Sequence, residues 1–280
     1  MLANWLKTSI LMAAILALFG AIGAMVGGKT GMLLALLFGG TMNFFAYWYS
    51  DKMVLKMYKA RQVDETSAPQ FYGMVRELAQ RAGLPMPKVY LIDEAQPNAF
   101  ATGMNRNNSL VAVSSGLLQH MDRSEVEAVL AHEISHVSNG DMVTMGLVQG
   151  VINTFVVFFS RIVGHLVDRV VFKNERGYGP GYYIASLVAQ LFLGLLASAI
   201  VMWFSRWREF RADAGGASLA GSRNMIAALR RLQAVHQPQD LPDQFAAFGI
   251  SGGFGEGLKK LFLSHPPLEE RIRALEEAAR

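Results

Sequence analysis

Four apolar stretches constrain this sequence more than any other feature. They cover residues 9–27, 32–49, 142–160 and 182–204, and the first two contain no charged residue. Each is close to the roughly 20 residues that an α-helix needs to cross a bilayer. The first stretch is longer than the core of a signal peptide, and a second stretch follows at once. We therefore predict four hydrophobic helices that cross a membrane as two hairpins.

The composition agrees with a chain that lies partly in lipid. Of the 280 residues, 52% are hydrophobic and only 17% are charged, whereas soluble proteins carry about a quarter. The sequence has no cysteine, so any zinc ion must be bound by His, Asp or Glu side chains. The net charge of +4 is modest, and no basic stripe with interleaved aromatic residues is present, so we expect no nucleic-acid partner.

Basic residues beside the apolar stretches predict the orientation of the chain. Four follow the second stretch and three follow the fourth, whereas the loop between the first two stretches holds only Lys29. Because cytoplasmic segments are rich in Lys and Arg, both termini and residues 51–141 are predicted to lie in the cytoplasm. The residues behind this prediction are Lys52, Lys56, Lys59, Arg61, Arg206, Arg208 and Arg211.

The loop between the third and fourth stretches does not fit this pattern, because it is also basic. Residues 161–173 place apolar side chains at helical spacing between Arg161, Arg169 and Lys173. This pattern predicts an amphipathic helix on the membrane surface, with a free loop as the alternative. The third and fourth stretches are therefore either full spans or a shallow hairpin.

The remaining residues form two polar blocks. The first is predicted to contain a helix over 68–82 and strands over 88–92, 100–104 and 110–114. In the second block, Ser222 is expected to cap a helix that ends near residue 236, and Pro266 with Pro267 to open a final helix.

These elements predict an α+β protein, mainly helical, with a small sheet and four hydrophobic helices. The expected organisation is an amino-terminal transmembrane hairpin (1–50), the first part of the polar domain (51–141), a second transmembrane hairpin (142–204) and the second part of the polar domain (205–280).

Residues 132–136 read His-Glu-Ile-Ser-His, which is the H-E-x-x-H pattern. The pattern alone arises by chance in on the order of one chain in a hundred of this length, so its context matters. Ser124 followed by Glu127 predicts a capping box, and Asn139 with Gly140 predicts a helix end. The motif is therefore expected to lie within a well-formed helix.

Two histidines four residues apart project from one face of a helix. His132 and His136 can then bind one zinc ion. Glu133 lies about 100° further round the helix, so we predict that it is the general base, taking a proton from a water molecule and delivering it to the leaving amine. The alternative is a surface helix with two solvated histidines.

A catalytic zinc site needs a third protein ligand. Glu209 and Asp213 lie four residues apart after the fourth apolar stretch. On a helix, Glu209 can bind zinc, and Asp213 can accept a hydrogen bond from the free ring N–H of a ligand histidine. Two intervening stretches return the chain to the same side of the membrane, so these ligands can meet. A charged helix face with ion pairs is the alternative.

The motif at 132–136, the Arg-Glu-Phe-Arg-Ala-Asp segment at 208–213 and the Ser-His-Pro-Pro-Leu-Glu-Glu-Arg segment at 264–271 resemble the HtpX-type membrane zinc endopeptidases, relatives of the CAAX prenyl proteases. The resemblance covers nearly the whole chain. It implies a gluzincin-like fold with one zinc ion per chain, Glu209 as the third ligand and Asp213 bonded to a ligand. It also implies a multi-pass protein of the bacterial inner membrane, with a cytoplasmic active site, that clears damaged membrane proteins during stress.

Two further assignments depend on this resemblance. His265 is a candidate to stabilise the oxyanion of the tetrahedral intermediate; the alternative is a residue that only begins a helix. The segment Asn98, Ala99, Phe100 and Ala101 resembles the edge strand that lines the cleft in such families, where a substrate pairs as an additional strand. The alternative is a core strand with Phe100 buried.

The predicted function is zinc-dependent hydrolysis of peptide bonds, and the expected partners are polypeptide substrates, namely membrane proteins, and the lipid bilayer. A membrane scaffold or chaperone-like protein with zinc is the alternative, but structural zinc usually has a fourth protein ligand, and such a protein has no need of Glu133. A transporter is disfavoured, because no apolar stretch carries an Asp, Glu, Lys or Arg that would mark an ion path.

Overall fold

The computed structural model describes residues 52–175, 177–235 and 266–279, together with scattered positions between 13 and 49. The chain divides into two compact units: one contains residues 144–203 with the described positions up to 47, and the other contains 48–143 and 204–280. In chain order, the elements are β1 (Arg61–Val63), α1 (Pro69–Arg81), β2 (Lys88–Ile92), β3 (Ala99–Asn105), β4 (Asn108–Ser114), α2 (Ser115–His120), α3 (Arg123–Asn139), α4 (Asp141–Val170), α5 (Pro180–Ala220), α6 (Ser222–Val235) and α7 (Leu268–Ala278).

The second unit contains a four-stranded mixed sheet in the order β1-β2-β4-β3. β1 pairs antiparallel with β2, β2 pairs parallel with β4, and β3 pairs antiparallel with β4. β4 is buried from Ser109 to Ser114, as expected for a central strand covered on both faces. β3 is an edge strand, because no other strand in the described part of the chain pairs with its outer side.

The core of this unit lies between one face of the sheet and helices α1 and α3. Val111 and Val113 of β4 contact the same cluster as Leu78 of α1 and Leu130 and Ile134 of α3, and all five are fully buried. Each such side chain removed from water contributes about 1.5–3 kcal/mol. The apolar side of α3, the helix that carries residues 132–136, is therefore fixed by the core.

Most elements of this unit were predicted close to their observed positions. The helix over 68–82 is α1, the three strands are β2, β3 and β4, and the final helix follows the two prolines. β1 and α2 were not predicted, because three and six residues are too short to show a period. The cap at Ser222 is wrong: this residue is the first of α6 and follows Gly221, which has φ +93°.

The predicted start of α3 is also wrong. Asp122, not Ser124, is the N-cap residue: its carboxylate accepts from the Glu125 N–H, and the Glu125 carboxylate accepts from the Asp122 N–H. Ser124 instead donates to Asp122 Oδ1. Two capping patterns overlap in the sequence, and the earlier one also lets Glu125 pair with Arg231 of α6.

In the first unit, α4 continues through residues 161–170. A separate amphipathic surface helix over 161–173 was therefore a wrong prediction; no proline interrupts the helix at this point. The turn to α5 is closed by Asp168, which accepts hydrogen bonds from Asn174 Nδ2 at 2.9 Å, Gly179 N at 2.9 Å and Tyr182 N at 3.2 Å. Two of these donors lie at the start of α5, where backbone N–H groups lack partners within the helix.

Two helices in the described part of the chain are long and apolar enough to cross a bilayer, Thr144–Val170 and Pro180–Ala220. They correspond to the third and fourth predicted stretches. The first two stretches fall mainly outside the described residues, and the one apolar helix found there, Gly28–Phe38, is shorter. Two of the four hydrophobic helices are thus observed at full length, and the amino-terminal pair stays a prediction.

Candidate metal centre

Helix α3 buries both histidines of the motif and leaves the glutamate between them accessible. From Ala128 to Val137 every side chain is buried except that of Glu133, which is partly exposed. The helix ends at Gly140 (φ +71°), whose N–H bonds to the carbonyl groups of His136 and Val137. A fixed start, a buried apolar side and this left-handed end together hold the motif in one orientation.

A pair of glycines lets helix α5 approach α3 closely. A Cβ atom on Gly216 would lie 3.1 Å from His132 N, and one on Gly215 would lie 2.6 Å from Ser135 Oγ. Larger residues at these positions force the two helices apart. The close approach brings Glu209, one turn before Asp213 on the same helix face, to the two histidines.

Three potential metal ligands meet in the interior of this unit. His132, His136 and Glu209 are buried, and one ligand atom from each lies within 4.8 Å of the others. His132 Nε2 lies 3.1 Å from His136 Nε2 and 3.6 Å from a Glu209 oxygen, and His136 Nε2 lies 3.3 Å from the other Glu209 oxygen. Ligands about 2.0–2.1 Å from a tetrahedral zinc ion lie roughly 3.3–3.4 Å apart. The three side chains therefore fit a zinc ion.

Each histidine is oriented by a separate carboxylate. His132 Nδ1 lies 2.9 Å from Asp213 Oδ1, and His136 Nδ1 lies 2.8 Å from Asp141 Oδ2. A carboxylate at Nδ1 accepts the ring proton and leaves the Nε2 lone pair free for a metal. Asp213 had been predicted in this role, whereas Asp141 had not, although it follows the Asn-Gly pair that ends the motif helix.

The electrostatic environment favours protons on the histidines when no metal is bound. Burial lowers the pKa of His136, but hydrogen bonds to Asp141 and Glu209 outweigh it and raise this pKa to about 9. Burial likewise lowers the pKa of His132, and hydrogen bonds to Asp213 and Glu209 reverse the shift, so that its pKa lies above the usual value. The charge of Glu133 raises both values further.

The remaining predicted site residues differ in how the structure places them. Ala99, Phe100 and Ala101 lie on the edge strand β3, and Asn98 directly precedes it. Phe100 is half-buried rather than part of the core cluster. His265 lies outside the described residues, so its role stays a prediction.

Three comparisons with known proteins show what this chain is similar to. The model of peptidase family M48 matches residues 65–279. Protease HtpX of Thioalkalivibrio sulfidiphilus is 56% identical over 252 residues, which cover 89% of this chain and 85% of that protein. The Protease HtpX homolog of Nitrosomonas europaea is 64% identical over 204 residues, which cover 73% of this chain and 69% of that protein. The crystal structure of S. mikatae Ste24p is similar with a TM-score of 0.65 at 22% identity, covering 98% of this chain and 66% of that one.

The fold and the grouped ligands define a metalloprotease, and the chain belongs to peptidase family M48. This family is zinc-dependent, and with HtpX proteases as its relatives the chain is a membrane zinc endopeptidase. The predicted family and enzyme class are confirmed, and the scaffold alternative is disfavoured. The likeness to Ste24p shows the fold, mostly helical with a small mixed sheet.

The glycine pair provides a test of the close helix approach. Gly216→Val is expected to push α5 away from the backbone of His132 and to weaken zinc binding by about tenfold or more. Zinc affinity is measured by competition with a chelator in detergent. Gly73→Val in α1, where nothing lies within 4 Å of an added Cβ, is the matched control. Equal zinc affinity in both variants would contradict the role of Gly216.

The raised pKa of His136 predicts how zinc affinity depends on pH. Because zinc binds the unprotonated ring, it must displace a proton at any pH below about 9. Affinity should rise about tenfold per pH unit for each proton displaced. Calorimetry in buffers of different ionisation enthalpy counts the protons released, and zinc affinity that does not change with pH would contradict the prediction.

Proposed function

We propose that His132, His136 and Glu209 bind one zinc ion per chain, and that Glu133 is the general base for hydrolysis of internal peptide bonds. The observation that carries this proposal is the group of three buried ligand atoms within 4.8 Å, beside a partly exposed glutamate on the same helix. In the described part of the chain the group has three members, as in catalytic sites that keep a position for water.

The residues divide the chemistry between them. A zinc ion bound here supplies polarisation of the scissile carbonyl group and acidification of a water molecule. Glu133 takes a proton from the attacking water molecule and transfers it to the leaving nitrogen. Asp213 and Asp141 hold the two imidazole rings in place, so the site does not have to rearrange during the reaction. His265 is assigned the stabilisation of the oxyanion.

The edge strand β3 is assigned the binding of substrate. Ser114 N donates to the Asn98 carbonyl at 2.9 Å, so the backbone of Asn98 faces β4. Backbone direction alternates along an antiparallel strand, and Ala99 and Ala101 therefore direct their N–H and C=O groups to the open edge. β3 also packs against α3. An extended polypeptide paired with this edge lies beside the metal ligands and is recognised mainly through its backbone.

The membrane segments and the relatives support a proposed location and substrate class. The proposal places a multi-pass chain in the bacterial inner membrane with two transmembrane hairpins, 1–50 and 142–204, and a gluzincin-like zinc domain formed by 51–141 and 205–280. The basic residues that follow the second and fourth stretches support a cytoplasmic active site. The substrates are then misfolded or damaged membrane proteins.

The role of Glu133 is tested with a single substitution. Glu133→Gln should retain zinc binding and lower the cleavage rate of an unfolded protein by about a hundredfold or more, the size typical of a general base. The assay uses protein purified metal-free in detergent, with zinc added. Glu127→Gln is the control: it lies on the same helix, where its carboxylate contacts Arg81 at 3.1 Å. Parental cleavage by Glu133→Gln would refute the assignment.

The edge strand is tested by removing one outward N–H group. Ala101→Pro should raise KM for an unfolded protein severalfold while zinc affinity stays unchanged, because proline is tolerated on an edge strand but cannot donate. Ala101→Gly, which keeps the N–H group, is the control. A parental KM in Ala101→Pro would show that substrate does not pair with this edge.

A further inference from the structure

The last described helix carries a buried arginine into the metal centre. Arg271, in the first turn of α7, is only 7% exposed. The neighbouring residues Ile272 and Leu275 belong to the core cluster, and α7 packs against α6. Docking of this helix therefore fixes where the guanidinium group lies.

The guanidinium group forms a bidentate ion pair with the Asp213 carboxylate. Arg271 Nε lies 2.7 Å from Asp213 Oδ2, and Nη2 lies 2.6 Å from Oδ1. The third nitrogen, Nη1, lies 3.6 Å from a Glu209 oxygen. Such bidentate pairs fix both the distance and the plane of a carboxylate. Arginine has no hydrogen-bond acceptor and stays charged, so Asp213 is held as an ionised carboxylate that can only accept hydrogen bonds.

This geometry has a consequence for His132. Asp213 Oδ1 accepts from Arg271 Nη2 and also lies 2.9 Å from His132 Nδ1. Because Arg271 occupies Oδ2 and fixes the plane, Asp213 cannot turn away from the imidazole ring. In the neutral ring the proton then stays on Nδ1, and the Nε2 lone pair faces the proposed metal position, which Glu209 and His136 also border.

We propose that Arg271 is a positioning residue for the zinc site, which acts through Asp213 to hold His132 in the tautomer and orientation that bind the metal. This inference rests on the proposed zinc site. The direction of the change in zinc affinity distinguishes a positioning role from a purely electrostatic effect. Removal of a positive charge beside a cation site would strengthen zinc binding, whereas loss of a positioning residue weakens it.

The test compares two substitutions of Arg271 with a control on the same pair of helices. Arg271→Met removes the guanidinium group, and Arg271→Lys keeps the charge but cannot bond both Asp213 oxygens in one plane. Arg230→Met is the control, because Arg230 of α6 contacts Glu276 of α7 at 2.7 Å on the exposed surface, away from the metal ligands. The readouts are zinc affinity by chelator competition, the visible absorption of the cobalt(II)-loaded protein, and Tm.

Both Arg271 variants are expected to bind zinc at least about tenfold more weakly than the parent, with altered cobalt absorption bands. Arg230→Met should match the parent in both. Arg271→Lys decides the question even where Arg271→Met does not fold. Its Tm is compared with that of the parent, and where the two are equal, weaker zinc binding is not the result of a folding defect. Parental or tighter zinc binding by Arg271→Lys would overturn the inference while leaving the zinc site intact; absence of zinc binding by the parent itself would overturn the zinc site.

Discussion

The structure of the metal centre depends on the pairing of charges that have been removed from water. Glu209, Asp213 and Asp141 are 2%, 1% and 3% exposed, and an unpaired buried carboxylate costs several kcal/mol. Asp213 and Asp141 each bond to an imidazole nitrogen, whereas Glu209 faces the same two rings from the metal side. Without a cation, the raised pKa values of both histidines keep protons on them, and a zinc ion at the proposed site would take over that positive charge.

Three separate parts of the chain supply this cluster, and each is positioned by a different device. Helix α3 is held by its caps and by the core beneath it. Helix α5 can approach α3 closely because two glycines leave no side chain at the contact. Helix α7 starts after a pair of prolines and brings Arg271 to Asp213 from 58 positions away in the chain. The site therefore requires all three helices, although each proposed ligand lies in a simple helical pattern.

The sequence was informative where the chemistry depends on local periodicity. His132 with His136, and Glu209 with Asp213, are pairs four residues apart, and helical spacing alone places each pair on one face. Asp141 could not be found in this way, because the left-handed Gly140 separates it from the motif helix and breaks the period. Arg271 could not be found either, because its role depends on how two distant helices meet.

The same distinction explains the errors in the fold. Long amphipathic and alternating segments were located to within two residues, whereas the three-residue strand β1 was missed. The cap of α3 was misplaced because two capping patterns overlap in the sequence. In the structure the Asp122–Glu125 pattern forms the cap, whereas Ser124 donates to Asp122 and Glu127 contacts Arg81. The third apolar stretch was ended too early, because a change from apolar to amphipathic composition does not end a helix.

X-ray absorption at the zinc edge of the purified, zinc-loaded protein tests the central claim most directly. The account predicts a four-coordinate ion with two imidazole nitrogens and only oxygen otherwise, all at about 2.0–2.2 Å, and a changed first shell in Glu209→Gln. A shell with three or more imidazoles, or a spectrum that Glu209→Gln leaves unchanged, would contradict the open site formed by His132, His136 and Glu209.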